Sequence, residues 1–261
     1  MTGKTIRLKR ILDSRSGNTV IVPMDHGISL GPVKGIADIR STVDKLAEGG
    51  ASAVVVHKGL VPHLGPAIGA QLGLIVHLSA STSMSPDPNA KVLVAGVDAA
   101  GALGADAVSI HCNIGCDAEN AMISDFGIVS DRCAELGLPL LAMTYPRGKA
   151  VKNQFDVEAV KHCARLSAEL GADIVKTNYT GSADSFKEVV RGTPVPVVIA
   201  GGPKMDSDVD LLRMVGDAMA AGARGVSIGR NVFQHDDISF ITRAIRKIVL
   251  EGRDPEDAYR R

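Results

Sequence analysis

Lys176 ends the run Ala172-Asp173-Ile174-Val175-Lys176, which delivers an ammonium to the tip of an apolar strand. Desolvation there is expected to depress its pKa, and a neutral amine adds to carbonyl carbons to give a Schiff base. A lysine that reaches solvent or pairs with a carboxylate fits the same run, so the chemistry depends on partners. Tyr145 offers one, because its hydroxyl can act as general acid or base beside a carbinolamine, although its ring can also simply pack. Asp25, in Pro23-Met24-Asp25-His26, supplies a carboxylate that can shuttle protons, bind a substrate hydroxyl or cap a loop.

Two further segments, Ala200-Gly201-Gly202-Pro203-Lys204 and Ser227-Ile228-Gly229-Arg230-Asn231, have the make-up of a phosphate cradle. Backbone N–H groups would be the donors, and glycine leaves no Cβ in the anion's way. Independent glycine turns are the alternative. Ser79, Ser81, Thr82 and Ser83 are candidate hydroxyl donors to a polar acceptor, and no second Gly or Arg cluster marks a second anion site. His57, His77 and His111, with Cys112 and Cys116, raise the question of a metal. No second cysteine pair completes a four-ligand set, so neither a metal nor an organic cofactor is expected.

These groups can act together only if the fold gathers them. Five joints share one form, a helical pattern ending in Gly before an apolar run, at Gly49-Gly50, Gly104, Gly137, Gly171 and Gly222. Each reads as a helix-to-strand turn with glycine in a left-handed conformation. The apolar runs number eight: Thr19 to Val22, Ala53 to Val56, Leu74 to Leu78, Ala107 to Ile110, Leu140 to Met143, Ala172 to Val175, Val195 to Ile199 and Gly225 to Ile228. All are short and non-alternating, as parallel strands buried on both faces should be. The pattern predicts an α/β fold, a (β/α)8 TIM barrel forming a single domain over residues 1–261. An open eight-stranded sheet is the alternative, but no glycine-rich dinucleotide fingerprint follows strand one.

Ile6 to Leu12 is expected to form a short N-terminal helix over the barrel floor. Helix seven should be capped by Asp206 or Ser207 and bury Leu211, Val215 and Met219. In a barrel, chemistry sits at the C-terminal ends of the strands. Those ends carry Asp25 and His26, His57 and Lys58, Ser79 to Ser83, His111 and Asn113, Tyr145 and Arg147, Lys176 and Asn178, Gly201 and Gly202, and Gly229 and Arg230.

Composition narrows the partners. Lys plus Arg and Asp plus Glu are both 29, so no net charge favours nucleic acid or an anionic membrane, and a small molecule is the default ligand. Lys4, Arg7, Lys9 and Arg10 interrupt any export signal at the N-terminus, and no run approaches the length of a membrane span. The expectation is a cytoplasmic protein whose four cysteines stay reduced.

Met24-Asp25-His26-Gly27, Tyr145-Pro146-Arg147-Gly148, Lys176-Thr177-Asn178 and the two glycine loops, taken in order, resemble the archaeal-type class I aldolase family from about Ile6 to the C-terminal helix. The resemblance implies that Lys176 is the Schiff-base lysine, Tyr145 the proton donor and Asp25 the acid/base carboxylate. It puts phosphate contacts on Gly201, Gly202, Gly229 and Arg230, and makes His26, Gly27, Ser29, Pro146 and Arg147 line the pocket. Family members that cleave fructose 1,6-bisphosphate carry a Trp two residues before the tyrosine. Here that residue is Met143, and the chain has no Trp.

The resemblance therefore leans towards members that run a transaldol reaction on the way to 3-dehydroquinate and aromatic amino acids. There a ketose phosphate, 6-deoxy-5-ketofructose 1-phosphate, yields a lysine-bound enamine that attacks L-aspartate semialdehyde. Cleavage of fructose bisphosphate is the alternative within the family. A metal-dependent barrel enzyme and a sugar-phosphate-binding protein without catalysis are the alternatives outside it. The implied partners are a ketose phosphate and an aldehyde, and the implied assembly is a homo-oligomer.

Overall fold

The computed structural model describes residues 2–260. Eight strands close into a barrel: β1 (Thr19–Pro23), β2 (Ala53–His57), β3 (Gly73–His77), β4 (Ala107–Ile114), β5 (Leu140–Pro146), β6 (Ile174–Thr177), β7 (Val197–Ala200) and β8 (Gly225–Ser227). Each strand pairs in parallel with its sequence neighbour, and β8 closes on β1. The eight apolar runs correspond to these strands in order, with shifted ends. Leu78 lies beyond β3, while β4 and β5 run further than expected and stay paired as far as Ile114 opposite Pro146.

The strands fail to alternate because both faces are covered. Val20, Val22, Val54, Val56, Val108 and Ile110 pack outwards beneath the helices. Ile21, Ala53, Val55, Ile75, Ala107, Leu141, Met143, Ile174 and Val198 fill the interior together with Tyr145. One glycine of each joint, Gly50, Gly104, Gly137, Gly171 and Gly222, has positive φ, from 63° at Gly137 to 98° at Gly222, while Gly49 is still helical. This is the conformation the helix-to-strand turn requires.

The N-terminal helix, α1, spans Thr2–Leu8 and thus lies earlier than Ile6 to Leu12. Ile6 is 60% exposed, and the residue that enters the barrel interior is Ile11, after the helix has ended. Two Gly-Ala-Asp joints hold this segment. Asp106 accepts from Arg10 Nη1 at 2.9 Å and from the Leu74 N–H at 2.9 Å. Asp173 accepts from Lys4 Nζ at 2.8 Å and from the Leu140 N–H at 2.8 Å. Each carboxylate thus fastens a cation of the N-terminal segment to the start of a strand.

The helix Asp208–Ala220 is capped by Ser207, whose side chain accepts from the Asp210 N–H. Its buried stripe is Leu211, Leu212, Val215 and Ala218, while Met219 is only half-buried.

Gly225, the first residue of β8, has φ +127°, and a Cβ there would lie 1.9 Å from the Thr19 carbonyl oxygen. The β8–β1 seam that closes the barrel therefore needs glycine. Gly225→Ala is expected to cost more than about 3 kcal/mol of unfolding free energy, measured by denaturant titration. Unchanged stability would mean that the seam relaxes freely around a methyl group.

Candidate active site

Alternation decides which side chains reach the barrel mouth. Continuing the inward faces of β1, β2, β3, β5 and β6 from Ile21, Val55, Ile75, Met143 and Ile174 leads to Asp25, His57, His77, Tyr145 and Lys176. Lys176 is 7% exposed and stands directly across the ladder from Met143. Tyr145 lies two residues further along β5, so its ring stands above the lysine on the same face. No hydrogen bond or ion pair to a described residue fastens the Lys176 ammonium, but its charge acts on Asp25, His26 and His77.

Asp25 is surrounded by imidazoles. His26 Nδ1 lies 3.4 Å from one carboxylate oxygen and His77 Nε2 3.7 Å from the other. Burial works to raise the Asp25 pKa, yet His77, His26, Lys176 and His57 outweigh it and hold the carboxyl ionised well below the usual carboxylate range. For His77, burial wins over the pull of Asp25 and pushes the imidazole down to about 4, so the ring is neutral at pH 7. Its Nδ1 is within 2.8 Å of the Ser109 hydroxyl, and its ring meets His57 edge to face at 5.2 Å. A neutral ring that accepts the Ser109 O–H at Nδ1 carries its own proton on Nε2, the nitrogen on the Asp25 side.

Tyr145 is clamped from two sides. Its ring contacts His111 edge to face at 5.1 Å, and the Arg147 guanidinium lies 4.3 Å from the ring centroid. His111 is itself held by Asn113 Oδ1 at 2.8 Å. Pro146 ends β5, and Arg147 follows at the rim, half-buried.

The two glycine loops meet. Arg230 Nη2 donates to the Gly202 carbonyl at 3.1 Å. Asn231 Nδ2 donates to the Gly201 and Pro203 carbonyls at 2.9 and 3.0 Å, and its Oδ1 accepts from the Met205 N–H at 2.6 Å. Asn231 is the staple between the loops, and only its place beside Arg230 hints at this in the sequence. A Cβ on Gly229 would come within 2.7 Å of His26 Cε1 and of the Pro23 carbonyl, so glycine lets the loop press against β1. The short helix Arg230–Phe233 starts there, and its first amides have no intrahelical acceptors.

Gly27 opens the helical turn Gly27–Leu30, which also carries Ser29. The Ser29 hydroxyl donates to the Ser81 carbonyl at 2.9 Å and so braces the loop after β3. In the segment after β3, Ser79 Oγ accepts from the His111 N–H, which leaves its own O–H to donate, and Ser81 Oγ donates to the Pro88 carbonyl. Lys91, in the segment after β3, and Arg147 at the rim are two half-buried cations whose charges act on one another.

The cysteines are packing groups. All four are buried and unpaired, and burial pushes Cys112, Cys133 and Cys163 up to about 12. Cys116 donates to the Asn113 carbonyl at 3.4 Å. Among the described residues no three His, Cys, Asp or Glu side chains converge as a metal-binding group. Nor is any helix among them long and apolar enough to cross a membrane.

Residues 19–235 match the sequence profile of the DeoC/LacD family aldolases. The chain is 47% identical over 249 residues to 2-amino-3,7-dideoxy-D-threo-hept-6-ulosonate synthase 1 of Archaeoglobus fulgidus, covering 95% of this chain and 92% of that one. It is 42% identical over 234 residues to 2-amino-4,5-dihydroxy-6-oxo-7-(phosphonooxy)heptanoate synthase of Streptomyces griseus, covering 90% and 85%. An archaeal fructose-1,6-bisphosphate aldolase, solved with its catalytic Lys covalently bound to the carbinolamine intermediate of the substrate, superposes with a TM-score of 0.88 at 31% identity, covering 94% of this chain and 99% of that one.

Proposed function

The chain belongs to the DeoC/LacD aldolase family, and from that premise we propose a class I aldolase or transaldolase that joins a ketose-phosphate-derived enamine to L-aspartate semialdehyde. The observation that carries this reading is the placing of an unfastened, buried Lys176 beneath Tyr145 and beside the ionised Asp25. The Lys176 amine adds to the substrate ketone, and the carbinolamine loses water to give a protonated imine. The carbon–carbon bond β to the imine carbon then breaks. Its electron pair enters the imine as an enamine, and the proton of the departing carbinol oxygen passes to a general base. In the joining direction the enamine carbon attacks the aldehyde and Tyr145 donates the proton to the new alkoxide. Asp25 takes up and returns protons as the carbinolamine forms and collapses, and water finally releases the product ketone from Lys176.

The products named for the relatives support the acceptor. Both are seven-carbon chains with an amino acid at one end and a ketone at C6. A retro-aldol cut between C4 and C5 yields aspartate semialdehyde and a three-carbon enamine. They differ at C7, which is deoxy in one and bears a phosphate in the other. In the transaldol reading the phosphate departs with the other three-carbon fragment. A phosphate retained at C7 is a second reading, favoured by the cradle on β7 and β8 next to Lys176 on β6. Met143 opposite Lys176, where bisphosphate-cleaving members of the family carry Trp, weighs against fructose bisphosphate as the main substrate.

The test compares kcat/KM for L-aspartate semialdehyde, with 6-deoxy-5-ketofructose 1-phosphate or dihydroxyacetone phosphate as donor, against that for cleavage of fructose 1,6-bisphosphate. Faster consumption of the semialdehyde is expected, and the mass of the product separates the two donors. Efficient bisphosphate cleavage with no semialdehyde product would reject the synthase reading. The protein is proposed to work in the cytoplasm as a homo-oligomer, with Met84 at 89% and Ile128 at 63% exposure offering apolar surface for a second copy to cover.

A further inference from the structure

A small antiparallel ribbon follows β3, pairing Ser79 with Leu93 and Ala80 with Val92. It is fixed to the rim of β4 at two points. The Ser79 hydroxyl accepts the His111 N–H at 3.1 Å, and Asn113 Nδ2 donates to the Asn89 carbonyl at 2.8 Å. Lys91 precedes the second strand of the ribbon, and its ammonium donates to Ser81 Oγ. The side chain is half-buried, and its charge acts on His57, His77, His111 and Arg147. The ribbon therefore aims a cation into the mouth.

Neither Lys91 nor Arg147 forms an ion pair with any described carboxylate. Asp25 and Asp87 are the acids whose charge reaches Lys91. Asp25 is engaged by His77 and His26, and one Asp87 oxygen accepts the Asn89 N–H at 2.9 Å. Two half-buried cations close enough for their charges to act on one another, with no paired anion, are unfavourable until an anionic ligand arrives.

Strand order gives that anion its identity. Around the barrel the phosphate cradle lies on β8 and β7, Lys176 on β6, Tyr145 on β5, and Lys91 beside β4 and β3. A seven-carbon product laid along this arc has C7 at the cradle, C6 on Lys176, the C4 oxygen under Tyr145 and C1 beyond it. We propose that Lys91, assisted by Arg147, binds the terminal carboxylate of the acceptor aldehyde and so selects an anionic acceptor. This rests on the aldolase reading of Lys176 and adds the subsite that chooses the aldehyde.

The test is Lys91→Met, with Lys91→Arg as the conservative control, assayed at saturating ketose phosphate with L-aspartate semialdehyde or uncharged propanal as acceptor. Loss of a charge-assisted contact is expected to lower kcat/KM for the semialdehyde about 10- to 100-fold, chiefly through KM. The propanal rate and borohydride trapping of the donor on Lys176 should stay unchanged, and Lys91→Arg should recover most of the loss. Equal losses for both aldehydes, or an unchanged semialdehyde KM with full trapping, overturn the role of Lys91 while the imine reading stands. No trapping in the unaltered protein overturns both.

Discussion

Exchange of Lys176 for Met should abolish borohydride trapping of ketone substrates and cut turnover by at least about 10⁵-fold, while the protein stays folded. The expectation rests on environment as much as on residue type. Lys58 and Lys204 are exposed beyond their strands, and Lys149 is exposed and paired with Asp117 at 2.7 Å. Lys176 alone combines near-complete burial, a ladder position opposite Met143 and an ammonium with no fixed partner. Met has similar length and no charge, so the substitution opens no cavity and the fold should survive it, although Asp25 loses one of the charges that keep it ionised. Mass spectrometry of the reduced adduct decides the assignment, and an adduct on Lys58, Lys149 or Lys204 with Lys176 unmodified would sink it.

Much of this arrangement is legible in the amino-acid sequence. The eight apolar runs are readable because burial on both faces removes polar alternation, and the joint glycines because only a left-handed turn needs them. Lys176 is legible as an ammonium that directly ends an apolar run. The upper halves of β4 and β5 are not. Above Ile110 the inward face turns polar with His111 and Asn113, so a search for apolar runs stops one layer below the site. The polar top layer is what makes the mouth chemical, and it is also what hides the strands that build it.

Lys91 is hidden for a different reason. Ser85-Pro86-Asp87-Pro88-Asn89 reads locally as a turn, and nothing in it reveals that the chain folds back over β4. That placement comes from two long-range bonds to His111 and Asn113, which no local pattern encodes. Asp106 and Asp173 illustrate the same limit. Their Gly-Ala-Asp joints are visible as a repeat, but the cations they hold lie 96 and 169 residues away.

Tyr145→Phe is expected to separate imine formation from bond cleavage. Two residues beyond Met143 the strand has risen about 7 Å, which puts the phenol hydroxyl above the carbon chain of an imine on Lys176 rather than against the amine itself. Removing that hydroxyl takes away the proton donor and leaves the nucleophile untouched. Phe keeps the edge contact with His111 and the guanidinium of Arg147 over the ring, and no hydrogen bond from a described residue is lost. Stability should change by less than about 1 kcal/mol. Turnover should fall about 10²- to 10⁴-fold, the usual contribution of a general acid or base. Trapping gives the sharper readout. In the unaltered enzyme the reduced adduct should carry mostly the three-carbon fragment left after cleavage, whereas in the variant it should carry the whole ketose phosphate, because the imine forms and the next bond does not break. A variant with undiminished turnover, or one in which the three-carbon adduct still dominates, would reduce Tyr145 to a packing residue. The proton would then have to pass through Asp25, whose carboxylate His77 and His26 hold ionised on the other side of the lysine.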